Sequence, residues 1–166
     1  MTEIATLREE TAKDHPAIRE LLTAAFERSG EAELVDALRN EGDLVLGCVA
    51  AVDDLIVGYA ALSRMTAPFP ALGLGPVAVA AAHRCKGVAS ALLRWSLARA
   101  QNDQWRGVFV LGDSAFYGRF GFRPELAAGF ASPYSGPHFM ALAFSGELPD
   151  KTGPVDYAPA FGRLRV

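Results

Sequence analysis

The chain has 166 residues, 51% of them hydrophobic and 21% charged, an ordinary globular composition that excludes a disordered segment and suits one domain over residues 1–166. The formal net charge is −3, and no nucleic-acid partner is expected. No apolar run is long enough to cross a bilayer, and the opening MTEIATLREE is polar and acidic where a signal peptide would be basic and then apolar, so a soluble cytoplasmic protein without a membrane partner is expected.

Ile4 to Arg8 alternates enough to be a first strand, and Asp14-His15-Pro16 then announces a helix, with Asp14 as cap and proline in the first turn. Ile18, Leu21, Leu22, Ala25 and Phe26 form its apolar face. After a break at Ser29-Gly30, Leu34, Val35 and Leu38 repeat the pattern over Glu31 to Asn40, and Gly42 ends it. Leu44 to Val52 and Leu55 to Ser63 are β-rich runs parted only by Asp53-Asp54, which reads as an antiparallel hairpin. Cys48 belongs to the core of the first of them.

Thr66 to Leu72 contains Pro68 and Pro70 and is expected to be a loop. A central strand follows over Leu74 to Val79, where Gly75-Pro76 implies either a bulge or a strand that starts only at Val77. Arg84-Cys85-Lys86-Gly87-Val88-Ala89 then turns into a helix over Val88 to Ala100, with Ala89, Leu93, Leu97 and Ala100 on one face. A turn opening a helix exposes unpaired N–H groups at the positive end of the helix dipole, and Arg84 and Lys86 add two full charges. Gly87 can take a positive φ or let an oxygen approach the backbone, and Ala89 leaves the next N–H uncovered. That is a phosphate cradle, although short basic glycine loops are also found merely solvated. Charge distribution favours the cradle: from Leu55 to Asn102 there is no Asp or Glu, yet Arg64, Arg84, Lys86, Arg94 and Arg99 are present. Cys85 sits where a thiolate would be favoured, and is read either as reactive or as a variable loop position.

Trp105 to Gly112 is a buried strand, followed by a short helix from Ser114 that Gly118 and Gly121 keep brief, with Asp113 as its cap. Pro124 to Pro137 reads as a long loop, Phe139 to Phe144 as a strand, and Val155 to Phe161 as an extended piece that Pro159 confines to an edge. The order is βααβββαβαβ with one further strand left open, an α/β or α+β arrangement in which helices cover a mixed sheet. His15, His83 and His138 have no metal-ligand spacing, and no metal is expected.

Arg84-x-x-Gly87-x-Ala89, after an apolar strand and opening a helix, resembles the acyl-CoA pyrophosphate motif of the GCN5-related N-acetyltransferases, the GNAT family. Tyr117-Gly118-Arg119-Phe120-Gly121-Phe122 is similar to the family's Tyr-x-x-x-Gly-Phe segment. The likeness covers about Ile4 to Phe144 and is specific over Leu74 to Phe122; Leu111-Gly112-Asp113 and Pro159-Ala160-Phe161 further resemble the YhbS-like bacterial subgroup. The resemblance implies a mixed, mostly antiparallel sheet flanked by helices, splayed between the strands that hold Gly75 to Val79 and Phe109 to Gly112, with the pantetheine arm of acetyl-CoA in the wedge. Val77, Ala78 and Val79 would border that arm, and Arg84, Cys85, Lys86, Gly87, Val88, Ala89 and Ser90 the pyrophosphate.

By the same resemblance Tyr117 is the general acid, a phenol with pKa about 10 that can share its proton with a departing thiolate of pKa about 8.5; packing alone is the other reading of that ring. The implied activity is transfer of an acetyl group from acetyl-CoA to a primary amine by direct attack in a ternary complex. An acyl-CoA-binding sensor would also need Arg84, Gly87 and Ala89, but not Tyr117. The pattern departs from the family in carrying no carboxylate between Leu74 and Ala82, and in placing Ala81 where a proline often stands. A water relay, Asp113, Glu31, Glu33 or His138 therefore stay open as base. Phe26 to Leu34 would border the acceptor cleft, where Glu27, Glu31 and Glu33 form either an acidic rim that favours a cationic amine or merely a solvated helix face. A homodimer is compatible with all of this.

Overall fold

The computed structural model describes residues 5–164. Strand β1 (Thr6–Glu9) is the later part of the predicted first strand; Ile4 lies outside the described residues. A 3-10 turn over Ala12–Asp14 leads into α1 (His15–Phe26), with Pro16 in its first turn as expected. Asp14 stands at the N-cap of α1 as expected, but its side chain makes no cap hydrogen bond there. Its carboxylate turns back to accept from the Thr11 N–H at 2.7 Å and from the Arg8 guanidinium at 2.7 and 2.9 Å, so the helical path starts one turn earlier than predicted. Helix α2 (Gly30–Asn40) follows the predicted break, and Ile18, Leu21 and Leu22 of α1 join Val35 of α2 in one core against the sheet.

β2 (Leu44–Val52) and β3 (Leu55–Arg64) form the expected hairpin, and Asp53 and Asp54 take φ of 49° and 64°, the left-handed pair that a two-residue turn between twisted strands requires. β4 (Ala71–Val79) starts inside the segment read as a loop, because Ala71 and Leu72 are buried and the prolines that suggested a loop lie upstream of them. Gly75-Pro76 is a bulge within the strand and not its beginning: Leu74 pairs with Leu62 and Val77 with Ala60, so the register shifts across a cis Gly75–Pro76 peptide.

Helix α3 (Val88–Asn102) buries Val88, Leu92, Leu93, Ser96, Leu97 and Ala100, a wider stripe than predicted, in which Ala89 is only half-buried. β5 (Gly107–Leu111), α4 (Ser114–Tyr117) and a 3-10 turn over Gly118–Phe120 come next. The expected loop from Pro124 holds α5 (Pro124–Ala127) and β6 (Phe130–Ala131), followed by β7 (Phe139–Ala143). In the tail, β8 (Gly153–Pro154) pairs in parallel with β6, and Pro159 opens a 3-10 turn over Pro159–Arg163 where an extended edge had been expected. Proline suits that place, since the first helical turn needs no N–H from it.

Six strands form one sheet in the order β1-β2-β3-β4-β5-β7, with every pairing antiparallel except β4 with β5. The single parallel pair runs only from Ala71↔Gly107 to Leu74↔Val110. Beyond Leu74, β4 stays on β3 as far as Val79 and leaves β5, so the sheet opens into a wedge there. Helix α3 covers one face, where Leu93 and Leu97 meet Leu72, Val108 and Val110. The other face carries α1 and α2 at one end and α5 with the tail at the other.

A carboxylate fixes α1 and α2 on that face. Glu10 occupies the space a side chain would take at Gly47, where an added Cβ would lie 1.8 Å from Glu10 Oε1. It accepts from the Tyr59 hydroxyl at 2.5 Å and from Arg39 Nε at 2.7 Å, and His15 Nε2 lies 3.0 Å away. One half-buried acid thus ties β3, α1 and α2 to the chain leaving β1.

Candidate active site

The wedge supplies the first part of the site. Ala80 donates its N–H to the Val57 carbonyl at 2.8 Å, so the alternation of an antiparallel ladder turns Ala78 toward β3 and turns Val77 and Val79 toward the open side. Val77 and Val79 therefore present ladder groups that β5 does not take. Ala78 does not face the wedge as expected: its backbone belongs to β3 and its side chain is buried against the α1 core.

The basic turn follows directly from that edge. Gly87 is the N-cap of α3 with φ of 84°, and among the described residues nothing beyond its own chain neighbours lies within 4 Å of where its Cβ would be. A residue with a side chain would be strained there and would fill space that an anion could occupy. The N–H groups of Val88, Ala89 and Ser90 lie in the first turn of a helix 15 residues long and have no carbonyl one turn back. Arg84 Nε donates to the Val79 carbonyl at 3.1 Å, which ties the cation to the end of β4. A cavity of about 340 Å³ is lined by Val79, Arg84, Cys85, Gly87 and Ser90, and closed on its far side by Phe116 and Arg119. Lys86 is exposed and does not line it. Arg119, which the sequence shows only as an intervening residue of the Tyr-x-x-x-Gly-Phe segment, is brought to the cradle by the folded turn, its guanidinium 4.9 Å from the centre of the Phe116 ring.

A second cavity of about 300 Å³ opens at the mouth of the wedge. Leu74, Pro76, Val77 and Tyr117 form its floor, with Phe26, Glu31 and Leu34 on one side. Tyr117 is both packed and placed on the cavity. Its ring rests on Gly112, where a Cβ would come within 2.6 Å of Tyr117 Cε2, and stands edge-on to Phe116 and Phe122 at 5.0 and 5.8 Å. Burial pushes its phenol above the usual tyrosine range, so it is protonated at neutral pH.

Of the three carboxylates expected on the rim, Glu27, Glu31 and Glu33, Glu31 lines this cavity and Glu27 is exposed away from it. Glu31 is buried, and Arg28 grips both its oxygens, Nε at 2.9 Å and NH2 at 2.5 Å, which holds its carboxyl below the usual range. Glu33 is exposed on the outer side of α2, 3.3 Å from Ser29 Oγ, and does not reach the cleft. Away from the cavity, Asp14, Asp36 and Glu10 are each paired with an arginine. Asp113 caps α4 as expected, accepting from the Ala115 N–H at 3.0 Å, and His138 is exposed. Tyr134 and Tyr157, which carry no signal in the sequence, close the cavity from the tail side. They lie in segments with no helical or strand period, where pattern reading has nothing to work on.

Residues 43–124 match the model of the acetyltransferase (GNAT) domain. The chain is 40% identical over 126 residues to the N-acetyltransferase YhbS of Escherichia coli K12, covering 74% of each protein. It is 32% identical over 133 residues to YjhQ, an N-acetyltransferase of the same organism, covering 75% of this chain and 73% of that one. The crystal structure of Escherichia coli YhbS in complex with CoA superposes with a TM-score of 0.91 at 32% identity, over 100% of this chain and 96% of that one. A GNAT acetyltransferase from Brucella melitensis, in complex with acetyl-CoA, superposes with a TM-score of 0.81 at 34% identity, over 95% and 97%. With the wedge, the glycine-capped basic turn and Tyr117 arranged as described, these likenesses show that the chain belongs to the GNAT family of N-acetyltransferases.

Proposed function

We propose that the protein binds acetyl-CoA along the free edge of β4 and transfers the acetyl group to a primary amine by direct attack in a ternary complex. The observation that carries this reading is continuity: the edge groups of Val77 and Val79, the cradle at Gly87 and the Tyr117 phenol lie along one wedge. The YhbS and Brucella melitensis proteins have been crystallised with CoA and acetyl-CoA, and this chain offers the same kind of ligand a suitable set of donors. The helix N–H groups of Val88, Ala89 and Ser90, with Arg84 and Arg119, suit a diphosphate. Val77 and Val79 suit the amides of an extended arm, which would add to β4 as a short strand.

Acetyl-CoA supplies an acyl group activated as a thioester; the protein supplies geometry and proton placement. The amine nitrogen forms a bond to the acyl carbon as the carbon–sulfur bond breaks. Negative charge gathers first on the acyl oxygen, for which the Val77 N–H, on the cavity that Tyr117 also lines, is a suitable donor. The Tyr117 O–H then donates to the sulfur as it leaves. A phenol kept neutral by burial suits that role, because it arrives carrying its proton. Glu31 is a weak base while Arg28 holds it, so the ammonium proton passes to solvent at the mouth of the cleft. A cytoplasmic setting goes with this reading, since Cys48 and Cys85 are both free thiols.

The direct test is release of free CoA thiol from acetyl-CoA in the presence of an amine panel. Amine-dependent thiol release together with an acetylated product is expected. Binding of acetyl-CoA with no release for any amine would leave an acyl-CoA-binding module instead of a transferase.

A further inference from the structure

Arg94 is a cation that the transfer chemistry above does not use. It is exposed on α3, and its guanidinium carbon lies 5.3 Å from the centre of the Phe120 ring. Arg119 reaches the same ring at 5.8 Å while resting on Phe116 at 4.9 Å. Two cations therefore share one aromatic ring, whose attraction offsets part of their mutual repulsion. Arg28, Arg39 and Arg99 each have a carboxylate partner. Neither Arg94 nor Arg119 has one among the described residues, and no hydrogen bond fixes either guanidinium there.

The two arginines border a cavity of about 430 Å³ between α3 and the end of β7, with a floor of Leu97, Ala98, Leu142 and Phe144. Arg119 also closes the cradle, so one guanidinium stands in the wall of both cavities. Neither cavity is lined by an aspartate or glutamate. The chain has none from Leu55 to Asn102, which spans the cradle and α3, and none from Ser114 to Arg123, which spans the turn that carries Arg119. Two exposed guanidiniums without a carboxylate, over an apolar floor, suit an anion carried on an organic body. Position along α3 says which anion. Arg94 follows Ser90, the last of the cradle N–H donors, by four residues, about 6 Å along the helix axis. An anion at Arg94 is thus about one sugar away from a diphosphate at Gly87. In CoA, the ribose that carries the diphosphate on its 5′ oxygen carries a phosphate monoester on its 3′ oxygen. That monoester holds close to two negative charges at neutral pH and presents oxygens that planar guanidiniums engage in pairs.

We propose that Arg94, together with Arg119, receives the 3′-phosphate of CoA, and that Arg94 is the residue by which this chain distinguishes CoA from 3′-dephospho-CoA. This rests on the reading of the Gly87 turn as the diphosphate cradle. Arg119 serves both phosphate positions, whereas Arg94 serves the monoester alone. The charge of the monoester also relieves the repulsion between the two guanidiniums on Phe120.

The test is isothermal titration of the full chain with CoA and with 3′-dephospho-CoA. The parent should bind CoA about 10-fold more tightly, as for one exposed charge-assisted contact, and the ratio should shrink as salt is raised. Arg94→Gln keeps part of the stem and removes the charge. It should weaken CoA about 5-fold or more and leave 3′-dephospho-CoA within about two-fold of the parent, while Arg94→Lys should restore part of the difference. Adenosine 3′-monophosphate, added to protein already saturated with CoA, should not bind. Equal affinity of the parent for the two ligands, or equal weakening of both by Arg94→Gln, would overturn the proposal and leave the diphosphate cradle standing. Binding of adenosine 3′-monophosphate beside CoA would overturn it too, because the pocket would then be a separate nucleotide site. No binding of either CoA or 3′-dephospho-CoA would sink the cradle reading and this proposal together.

Discussion

Replacement of Gly87 by alanine separates what the fold needs at the cradle from what a ligand needs. Gly87 has φ of 84°, so a residue with a Cβ incurs a left-handed penalty of about 1–2 kcal/mol. Nothing else is disturbed, because among the described residues nothing beyond its own chain neighbours lies within 4 Å of the new Cβ. For a chain of this size each kcal/mol lowers the melting temperature by about 2–4 °C, so a fall of roughly 2–8 °C is expected with cooperative unfolding retained. CoA affinity should suffer more. The methyl group projects into the space beside the Val88, Ala89 and Ser90 N–H groups, and an anion pushed from even one such charge-assisted bond loses about 1.5–3 kcal/mol, roughly 10- to 100-fold in affinity. Gly87→Asp occupies the same backbone position and adds a negative charge, so its binding should fall below detection. Isothermal titration with CoA and a thermal melt on each variant decide the matter. If Gly87→Ala binds CoA within two-fold of the parent while showing the expected thermal shift, the diphosphate does not sit at this turn.

Other predictions follow from single contacts. Tyr117→Phe should lower kcat by about 100-fold or more with little change in KM for acetyl-CoA, as for a proton donor acting in the transition state; steady-state kinetics with unaltered turnover would return this ring to packing alone. Glu31→Gln should raise KM for a cationic acceptor several-fold, because it removes the carboxylate charge that lines the cavity and leaves the Arg28 charge beside it uncompensated, whereas Glu33→Gln should leave it unchanged; equal effects of the two would contradict the observed difference in their positions. Asp14 is held well below the usual carboxylate range by the Arg8 guanidinium and the Thr11 N–H. A depressed folded pKa stabilises above the unfolded value near 4 and is lost as pH falls toward the folded one, so Asp14→Asn should cost about 1–2 kcal/mol at pH 7 and progressively less below pH 4. Urea melts at pH 7 and pH 3 measure this, and a pH-independent difference would mean that the carboxylate charge contributes nothing.

The sequence made the cosubstrate half of the site legible because that half is local. Arg84, Gly87 and Ala89 lie within one turn, and the strand before them and the helix after them each show their own period. The hairpin was legible for the same reason, with Asp53-Asp54 between two β-rich runs. Failures occurred where distant residues decide. Ala71 and Leu72 are strand because β5 arrives beside them from more than thirty positions along the chain. Ala78 sounded like a wedge residue until the ladder phase set by Ala80 and Val57 turned it away. Glu33 resembles Glu31 in type and neighbourhood, yet the helical twist sends one into the cleft and the other into solvent. Tyr157 is chosen by the absence of a side chain at Gly73, which no period in either segment reveals.

The two cavities draw on different parts of the chain. Apart from Phe116 and Arg119, the cradle is contained in Val79 to Ser90, one short stretch of chain. The wall of the second cavity, the proposed acceptor wall, is assembled from Phe26, Glu31 and Leu34 before the central strands and from Tyr134, Tyr157 and Phe161 after them. Those positions all fall outside residues 43–124, the span that matches the family domain. Substitutions that recut the acceptor wall can therefore accumulate without touching the donors that face the cosubstrate. Glu10 limits that freedom from a distance: by fastening α1 and α2 to β3, it sets how far the Phe26 side of the wall can drift as its side chains change. Divergence in substrate choice on this scaffold then proceeds by replacing the faces of a wall whose frame is held elsewhere.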